Sequence, residues 1–381
     1  MIYTLFSLKA SVPLMDKKLA IIAIVIVAVV ITAGVALTMN GGGDSNEKVV
    51  YWMPIAPNLQ KDALLTGTID GAITWEPFAS DAVLSGAAVI YKWSDEIWED
   101  HPCCVVAVNK DYLADNEQIV LRTLKVHIEA TKWIVDAVNH PESENYTKLL
   151  SMGASFSGRS TAVVNSSLGH IEFVYELTDA FDDWMKVITQ KYIDLALIQN
   201  NSLGDRGYSS LDDFVSEYFN SDLVGEAMNI TPSDVILNPT DPVRLGYLVG
   251  DLHQFARVVA ANDTLWGEGK DLFEVYGVAT VTSDGGPYAN GGAVMDAFAA
   301  NLVDVGYLGA PPAILKRLNA DVNTEVIAQV NMVGSAIFVK ASITTLDDFN
   351  GMTIATPGSS SIQHLMFLDY FTSNGFTVKA K

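Results

Sequence analysis

Asp62-Ala63-Leu64-Leu65-Thr66-Gly67-Thr68-Ile69-Asp70 runs into Gly71-Ala72-Ile73-Thr74-Trp75-Glu76-Pro77. The phrase returns as Asp296-Ala297-Phe298-Ala299-Ala300-Asn301-Leu302-Val303-Asp304, which runs into Val305-Gly306-Tyr307-Leu308-Gly309-Ala310-Pro311. Asp-Ala, the second Asp and the Pro coincide at one offset of 234 residues (62 to 296, 70 to 304, 77 to 311). Each copy reads as the end of an amphipathic helix, a tight polar turn, a short buried strand and a Pro-bearing loop that opens the next helix. Such a strand delivers its loop to the carboxyl edge of a sheet, where α/β folds bind ligands. Two copies predict two similar α/β lobes facing a shared cleft.

The length of 381 residues accommodates two lobes. A formal net charge of −22, with 23 basic residues and no Lys/Arg cluster, argues against nucleic acid as a partner, because phosphates would be repelled. The acidity reads as a solubility feature.

Residues 19–38 form an uncharged apolar run, preceded by Asp16-Lys17-Lys18 and followed by Gly41-Gly42-Gly43. Twenty residues at about 1.5 Å each span a bilayer core, and the two lysines favour a cytoplasmic N-terminus. The expected plan is a cytoplasmic segment 1–18, a transmembrane anchor or signal segment 19–38 and a flexible linker 39–47, with the rest on the extracytoplasmic face, or secreted if the segment is cleaved. Met15 is an alternative start. The two cysteines, Cys103 and Cys104, are neighbours and cannot form an ordinary structural disulfide. At the head of an apolar strand they read as small buried hydrophobes.

Strands are expected at Lys48–Met53, Gly71–Thr74, Ala87–Trp93 and Cys104–Asn109, followed by a helical stretch from Asp111. Residues 200–242, rich in Asn, Gly, Ser, Asp and Pro, read as a linker with one short helix at Ser210–Phe219. A new α/β pattern starts at Val243–Leu248, with further strands near Leu272–Val275, Val326–Asn331, Ala336–Val339 and Met352–Ala355.

The strongest local motif is Thr356-Pro357-Gly358-Ser359-Ser360-Ser361-Ile362-Gln363-His364, a strand end, a Gly-Ser turn and a helix start. Free N–H groups there, flanked by hydroxyls, suit an anion or a carbonyl oxygen; one serine alone would serve as a cap. Asn290-Gly291-Gly292 makes a second Gly-rich loop before a helix, and Trp75 is suited to closing on a ligand. Asp251, His253 and Gln254 follow the Val243 strand and are expected at the same cleft, as is His364. No catalytic constellation is present: there is no Gly-x-Ser-x-Gly elbow and no P-loop, and the six histidines lack metal-ligand spacing. No metal and no cofactor is expected, and the chain does not read as an enzyme.

Val243–Leu248, Gly306–Pro312, Leu346–Gly351 turning into Met352–Ala355, Gly358–Ser361, Asp70–Pro77 and His101–Val108 together resemble the solute-binding proteins of ABC importers for nitrate, sulfonate, taurine and related solutes. The resemblance implies a two-lobed periplasmic-binding-protein-like II fold that closes on a small-molecule solute and presents it to ABC permease subunits. Carried over, the contacts are Ser359, Ser360 and Ser361, then Gly309 and Ala310, then Trp75 and Glu76. The loops offer no Arg or Lys, which favours a monoanion or a neutral solute.

The order departs from that family. Residues 48–199, the second lobe and following helices, precede residues 243–381, the first lobe, with 200–242 joining the usual termini. Phe376–Val378 is expected to run on into Lys48–Tyr51, as in a circular permutant; a fragment of a tandem array is the alternative. Two other functions compete: a membrane-tethered ligand sensor, and a relative of the thiamine-pyrimidine proteins of this fold, which use a cysteine-rich motif with bound iron.

Overall fold

Two β-sheets share one strand plan. The computed structural model describes residues 47–381; the expected segments 1–18 and 19–38, and nearly all of the linker 39–47, lie outside the described residues. No helix among the described residues is long and apolar enough to cross a membrane.

The chain opens with β1 (Lys48–Pro54), α1 (Pro57–Leu65), β2 (Gly71–Trp75), α2 (Phe78–Leu84) and β3 (Val89–Trp93). It continues through β4 (Cys104–Asn109), α3 (Lys110–Asn139), α4 (Glu144–Ser157), α5 (Thr161–Leu168) and β5 (Ile171–Phe173). Four helices follow, α6 (Asp179–Asp194), α7 (Ser202–Asp205), α8 (Leu211–Tyr218) and α9 (Asp222–Met228). Then come β6 (Val243–Gly246), a 3-10 turn at Leu252–Gln254, α10 (Phe255–Ala260), α11 (Leu272–Val275), β7 (Thr280–Thr282), α12 (Gly291–Ala299) and β8 (Val305–Gly309). The last elements are α13 (Ala310–Ala320), β9 (Thr324–Gln329), β10 (Asn331–Val333), β11 (Ser335–Val339), β12 (Thr353–Thr356), α14 (Ile362–Ser373) and β13 (Phe376–Ala380).

One sheet has the order β7-β6-β8-β4-β9 and the other β13-β1-β12-β2-β11-β3. Set β7 against β1, and the next four strands correspond in turn. In both sheets the first three are parallel and the fourth, β4 or β11, runs antiparallel to its neighbours. The repeated phrase supplies the central strand of each, β2 and β8.

The repeat extends to individual hydrogen bonds. Thr66, Gly67 and Thr68 donate their N–H groups to the carbonyls of Asp62, Leu64 and Ala63; Ala300, Asn301 and Leu302 donate to those of Asp296, Phe298 and Ala297. Gly67 (φ 75°) and Asn301 (φ 55°) occupy the same left-handed position, which glycine adopts freely and asparagine tolerates. Asp70 Oδ2 then accepts the N–H of Thr353, the first residue of β12, at 2.9 Å, and Asp304 Oδ2 accepts that of Arg244 in β6 at 2.8 Å. A cation completes each, Lys340 on Asp70 and the Arg244 guanidinium on Asp304. The aspartate therefore locks the start of one strand to the next.

Asp304 is 2% exposed, so Asp304→Ala strands a buried N–H and a guanidinium and is expected to cost about 2–4 kcal/mol. The more open Asp70→Ala is expected to cost about 1–2 kcal/mol. Urea unfolding checks both, and losses below about 0.5 kcal/mol would mean that the repeated aspartates hold nothing.

Four expectations are corrected. β13 does not continue into β1 but lies parallel beside it, with Phe376 opposite Lys48, so the six-stranded sheet carries one strand beyond the shared plan. Cys104–Asn109, placed with the second lobe, is β4 of the five-stranded sheet, and α3 packs on that same sheet through β4 and β9. Residues 200–242 hold the expected short helix, as α8, but also two more, α7 and α9, that the polar composition hides. In α8 the apolar residues Leu211, Phe214, Val215 and Tyr218 fall at helical spacing; Phe214 and Tyr218 are buried, and Tyr218 Oη donates to the Ala313 carbonyl. Leu272–Val275 is also helical, started by a capping box between Asp271 and Glu274.

Two strands of chain cross between the sheets: 94–103, from β3 to β4, and 330–334, from β9 to β11. They are hydrogen-bonded antiparallel, Val333 N–H to the His101 carbonyl and Cys103 N–H to that of Asn331. Val333 (φ 52°) and Gly334 (φ 83°) both have left-handed backbone. That geometry is costly for a β-branched residue and marks the crossing as a point of backbone strain.

Candidate ligand-binding site

The loops at the carboxyl ends of β2, β6, β8 and β12 meet between the sheets around a cavity of about 30 Å³, room for two or three water-sized groups. Trp75 ends β2 and Gly309 ends β8, Leu248, Asp251 and His253 follow β6, and Pro312 lies in the first turn of α13. Ser360 to Gln363 start α14, Asn290 and Gly291 start α12, and Cys103 and Cys104 complete the wall. A wider surface groove of about 520 Å³ lies between α3 and Phe173–Thr178, but no carboxyl-end loop of a parallel strand reaches it.

Four helices begin at this cleft, and two of them keep their donors. The first-turn N–H groups of a helix have no acceptor within it and carry its positive dipole end. In α14 Ser361 Oγ accepts from His364 at 3.1 Å, and in α12 Asn290 Oδ1 accepts from Ala293 at 3.0 Å. The N–H groups of Ile362, Gln363 and Gly291, all on the cavity wall, remain. The other two helix starts are occupied. Pro311 and Pro312 remove donors from α13, and Ala310 N–H donates to the Cys103 carbonyl at 2.9 Å. At α2 the buried Glu76 carboxylate accepts from Ser80 N–H at 3.0 Å, Ser80 Oγ at 2.7 Å and Ser167 Oγ at 3.2 Å. Burial raises the Glu76 pKa against those hydrogen bonds.

Trp75 adds a further donor. It is 5% exposed, lines the cavity, and its Nε1–H is buried with no partner among the described residues. A buried indole N–H without an acceptor is uncommon enough to call for a ligand or a water.

The same cavity holds a sulfur–imidazole pair. Cys103 Sγ lies 3.3 Å from His253 Nδ1, and His253 Nε2 donates to the Gly334 carbonyl at 2.8 Å, which fixes the ring. Asp251 Oδ1 is 4.0 Å from Nδ1. Burial opposes the charge on His253, but the Cys103 sulfur and the Asp251 carboxylate outweigh it and raise its pKa to about 9. A hydrogen bond from Cys104, then, against burial, the charge of His253, drives the Cys103 thiol well below its ordinary range. Asp251 is pushed up to about 7 by burial. Cys103, Cys104 and His253 bring three donor atoms within 4.8 Å of one another, a set able to meet on a soft metal ion.

Of the residues expected at the site, Trp75, Asp251, His253, Gly309, Ser360 and Ser361 line this cavity; Gly358, Ser359, Ala310, Glu76, Gln254 and His364 do not. Ser359 is exposed. His364 is buried in its lobe, hydrogen-bonded to Thr356 Oγ1 at 3.2 Å and packed 4.2 Å from Trp52. Gln254 positions the loop, accepting from Leu248 N–H and donating to Asp251 Oδ2. Sequence reasoning missed Cys103 as a wall of the cleft. Because β4 is antiparallel, its start, not its end, lies beside the carboxyl end of β8, with Cys104 opposite Gly309.

Residues 29–147 match the NMT1-like family, a periplasmic-binding-protein-like family that includes nitrate, sulfonate and taurine binders. The matched span is less than half of the chain and holds Trp75, Glu76, Cys103 and Cys104. No curated protein and no solved structure gives a match.

Proposed function

We propose that the chain is a solute-binding protein that captures a small monoanion between its lobes, for import through an ABC permease. The observation that carries this reading is the buried Trp75 Nε1–H without a partner among the described residues, on a side chain that lines the cavity together with the first turns of α12 and α14. Donors arriving from both lobes suit an acceptor-rich solute. With no Arg or Lys on the wall, a single negative charge fits better than two. The net charge of −22 gives no steering toward an anion, so affinity rests on these local dipoles. The NMT1-like match supports the same class. In this reading the lobes are circularly permuted relative to the usual binding protein, and the apolar run at 19–38 tethers the protein outside the membrane.

The test is thermal unfolding against nitrate, bicarbonate, taurine and alkanesulfonates. A binder at about 100 times its Kd adds about 2.7 kcal/mol of stability; no shift with any oxyanion would sink the reading. Trp75→Phe keeps the ring and removes the donor. It is expected to weaken anion binding about tenfold or more, the worth of one hydrogen bond to a charged group, with the unfolding transition of the free protein little changed. A large loss of stability instead would make Trp75 a core residue.

A further inference from the structure

The anion reading uses the N–H donors and leaves the thiol on the same wall unexplained. A cavity built only to hold nitrate has no use for a sulfur held 3.3 Å from an imidazole nitrogen whose ring is locked from behind by the Gly334 carbonyl. That arrangement is how a cysteine is kept ready as a nucleophile. Cys103 has no stabilising disulfide, since both cysteines are free, and it faces the same small space as Trp75, Ser360 and the first turn of α14. A second feature also points to a ligand here: Trp75, on the same wall, has a buried Nε1–H with no partner among the described residues.

We propose that the solute is a small 2-oxo carboxylate, and that Cys103 captures it covalently and reversibly through its carbonyl carbon. The proposal rests on the anion reading above. The carboxylate takes the N–H groups at the helix starts, and the carbonyl oxygen lies among the remaining donors, as an oxyanion does when charge develops on it. The Cys103 sulfur lone pair forms a C–S bond, the C=O π bond opens onto oxygen, and the thiol proton, relayed through His253 Nδ1 at 3.3 Å, goes to that oxygen. The product is a neutral hemithioacetal or thiohemiketal beside a neutral imidazole. No oxidant, reductant or leaving group takes part, so the reverse step returns the solute unchanged, as delivery to a permease requires. An ester or amide would lose a leaving group and need water to regenerate the thiol, which fits neither the small closed cavity nor the release of an intact solute.

The experiment uses the purified full chain and [2-13C]glyoxylate, with 13C NMR for the adduct and thermal unfolding with nitrate as the non-covalent control. The wild type is expected to show one equivalent of a slowly exchanging carbon bonded to sulfur, distinct from hydrated glyoxylate. Cys103→Ser is expected to lose that signal and to lose at least about tenfold more affinity for glyoxylate than for nitrate; Cys103→Ala replaces it if the serine variant fails to fold. Glyoxylate should also slow alkylation of Cys103 by iodoacetamide, and acetate should slow it less. No adduct in a wild type that nitrate stabilises overturns the covalent step and leaves the anion reading standing. An adduct that persists without Cys103 overturns it too. No shift with either nitrate or glyoxylate brings down both.

Discussion

Gly334→Ala is expected to destabilise the protein by about 2–5 kcal/mol and to abolish high-affinity solute binding. The residue sits in the second crossing with φ 83°, where an L side chain costs about 1–2 kcal/mol. A Cβ there would meet His253 Nε2 at 2.5 Å and Ile171 Cγ1 at 3.0 Å, so the imidazole must leave the carbonyl that orients it. The same carbonyl also accepts Glu76 N–H at 3.0 Å. One backbone oxygen thus ties His253 on the five-stranded side to Glu76 on the six-stranded side. Gly351→Ala is the control, because its φ is 82° but nothing lies within 4 Å of the added carbon. It should show the backbone strain alone. Urea unfolding and nitrate titration of both variants decide the matter, and equal losses would show that crowding of His253 has no consequence.

The second large effect is in acid. Burial pushes His127 down to about 4, although its Nε2–H donates to the Gln329 carbonyl, and burial likewise pushes His364 down to about 4. Both pKa values lie below the unfolded value of about 6.5, so each neutral ring contributes stability that is present above pH 6.5 and lost as the pH falls toward 4. Each is worth about 3 kcal/mol over that window, at about 1.4 kcal/mol per pH unit. Asp251, raised to about 7, and Glu76, also raised, act in the opposite sense, because their folded forms hold protons that the unfolded chain has released. His253, near 9, is charged in both states below pH 6 and adds no slope there. The wild-type slope is therefore a net quantity, and the clean measurement is a difference. His127→Gln and His364→Gln should each gain about 3 kcal/mol relative to wild type between pH 7 and pH 4. Parallel stability curves would show that these rings are not kept neutral by the fold.

Much of this architecture is legible in the sequence where a pattern has one physical solution. The repeated Asp-Ala to Asp-to-Pro phrase marks the central strand of both sheets because a helix stop, a left-handed turn residue and a strand-locking aspartate recur together. The Ser-rich turn before Ile362 marks a helix start at the cleft. Other features depend on neighbours that a linear reading does not see. Cys103 lies at the cleft only because β4 runs antiparallel, and Glu76 and Ala310 are withdrawn from the ligand by hydrogen bonds to Ser80, Ser167 and Cys103. His364 resembles a cleft residue in sequence but faces Trp52 and Thr356 instead. In residues 200–242 the apolar spacing from Leu211 to Tyr218 shows the helix found as α8, while the polar composition hides α7 and α9.

The matched wiring of Asp70 and Asp304 has an experimental use. A lesion made in one lobe has its counterpart in the other, at the same offset and with the same backbone bond broken. A solute that enters through the five-stranded lobe first should dissociate faster after Asp304→Ala than after Asp70→Ala, once equal losses of stability are matched with urea. The molecule carries its own internal standard, and the order in which its halves engage the solute can be read by comparing the protein with itself.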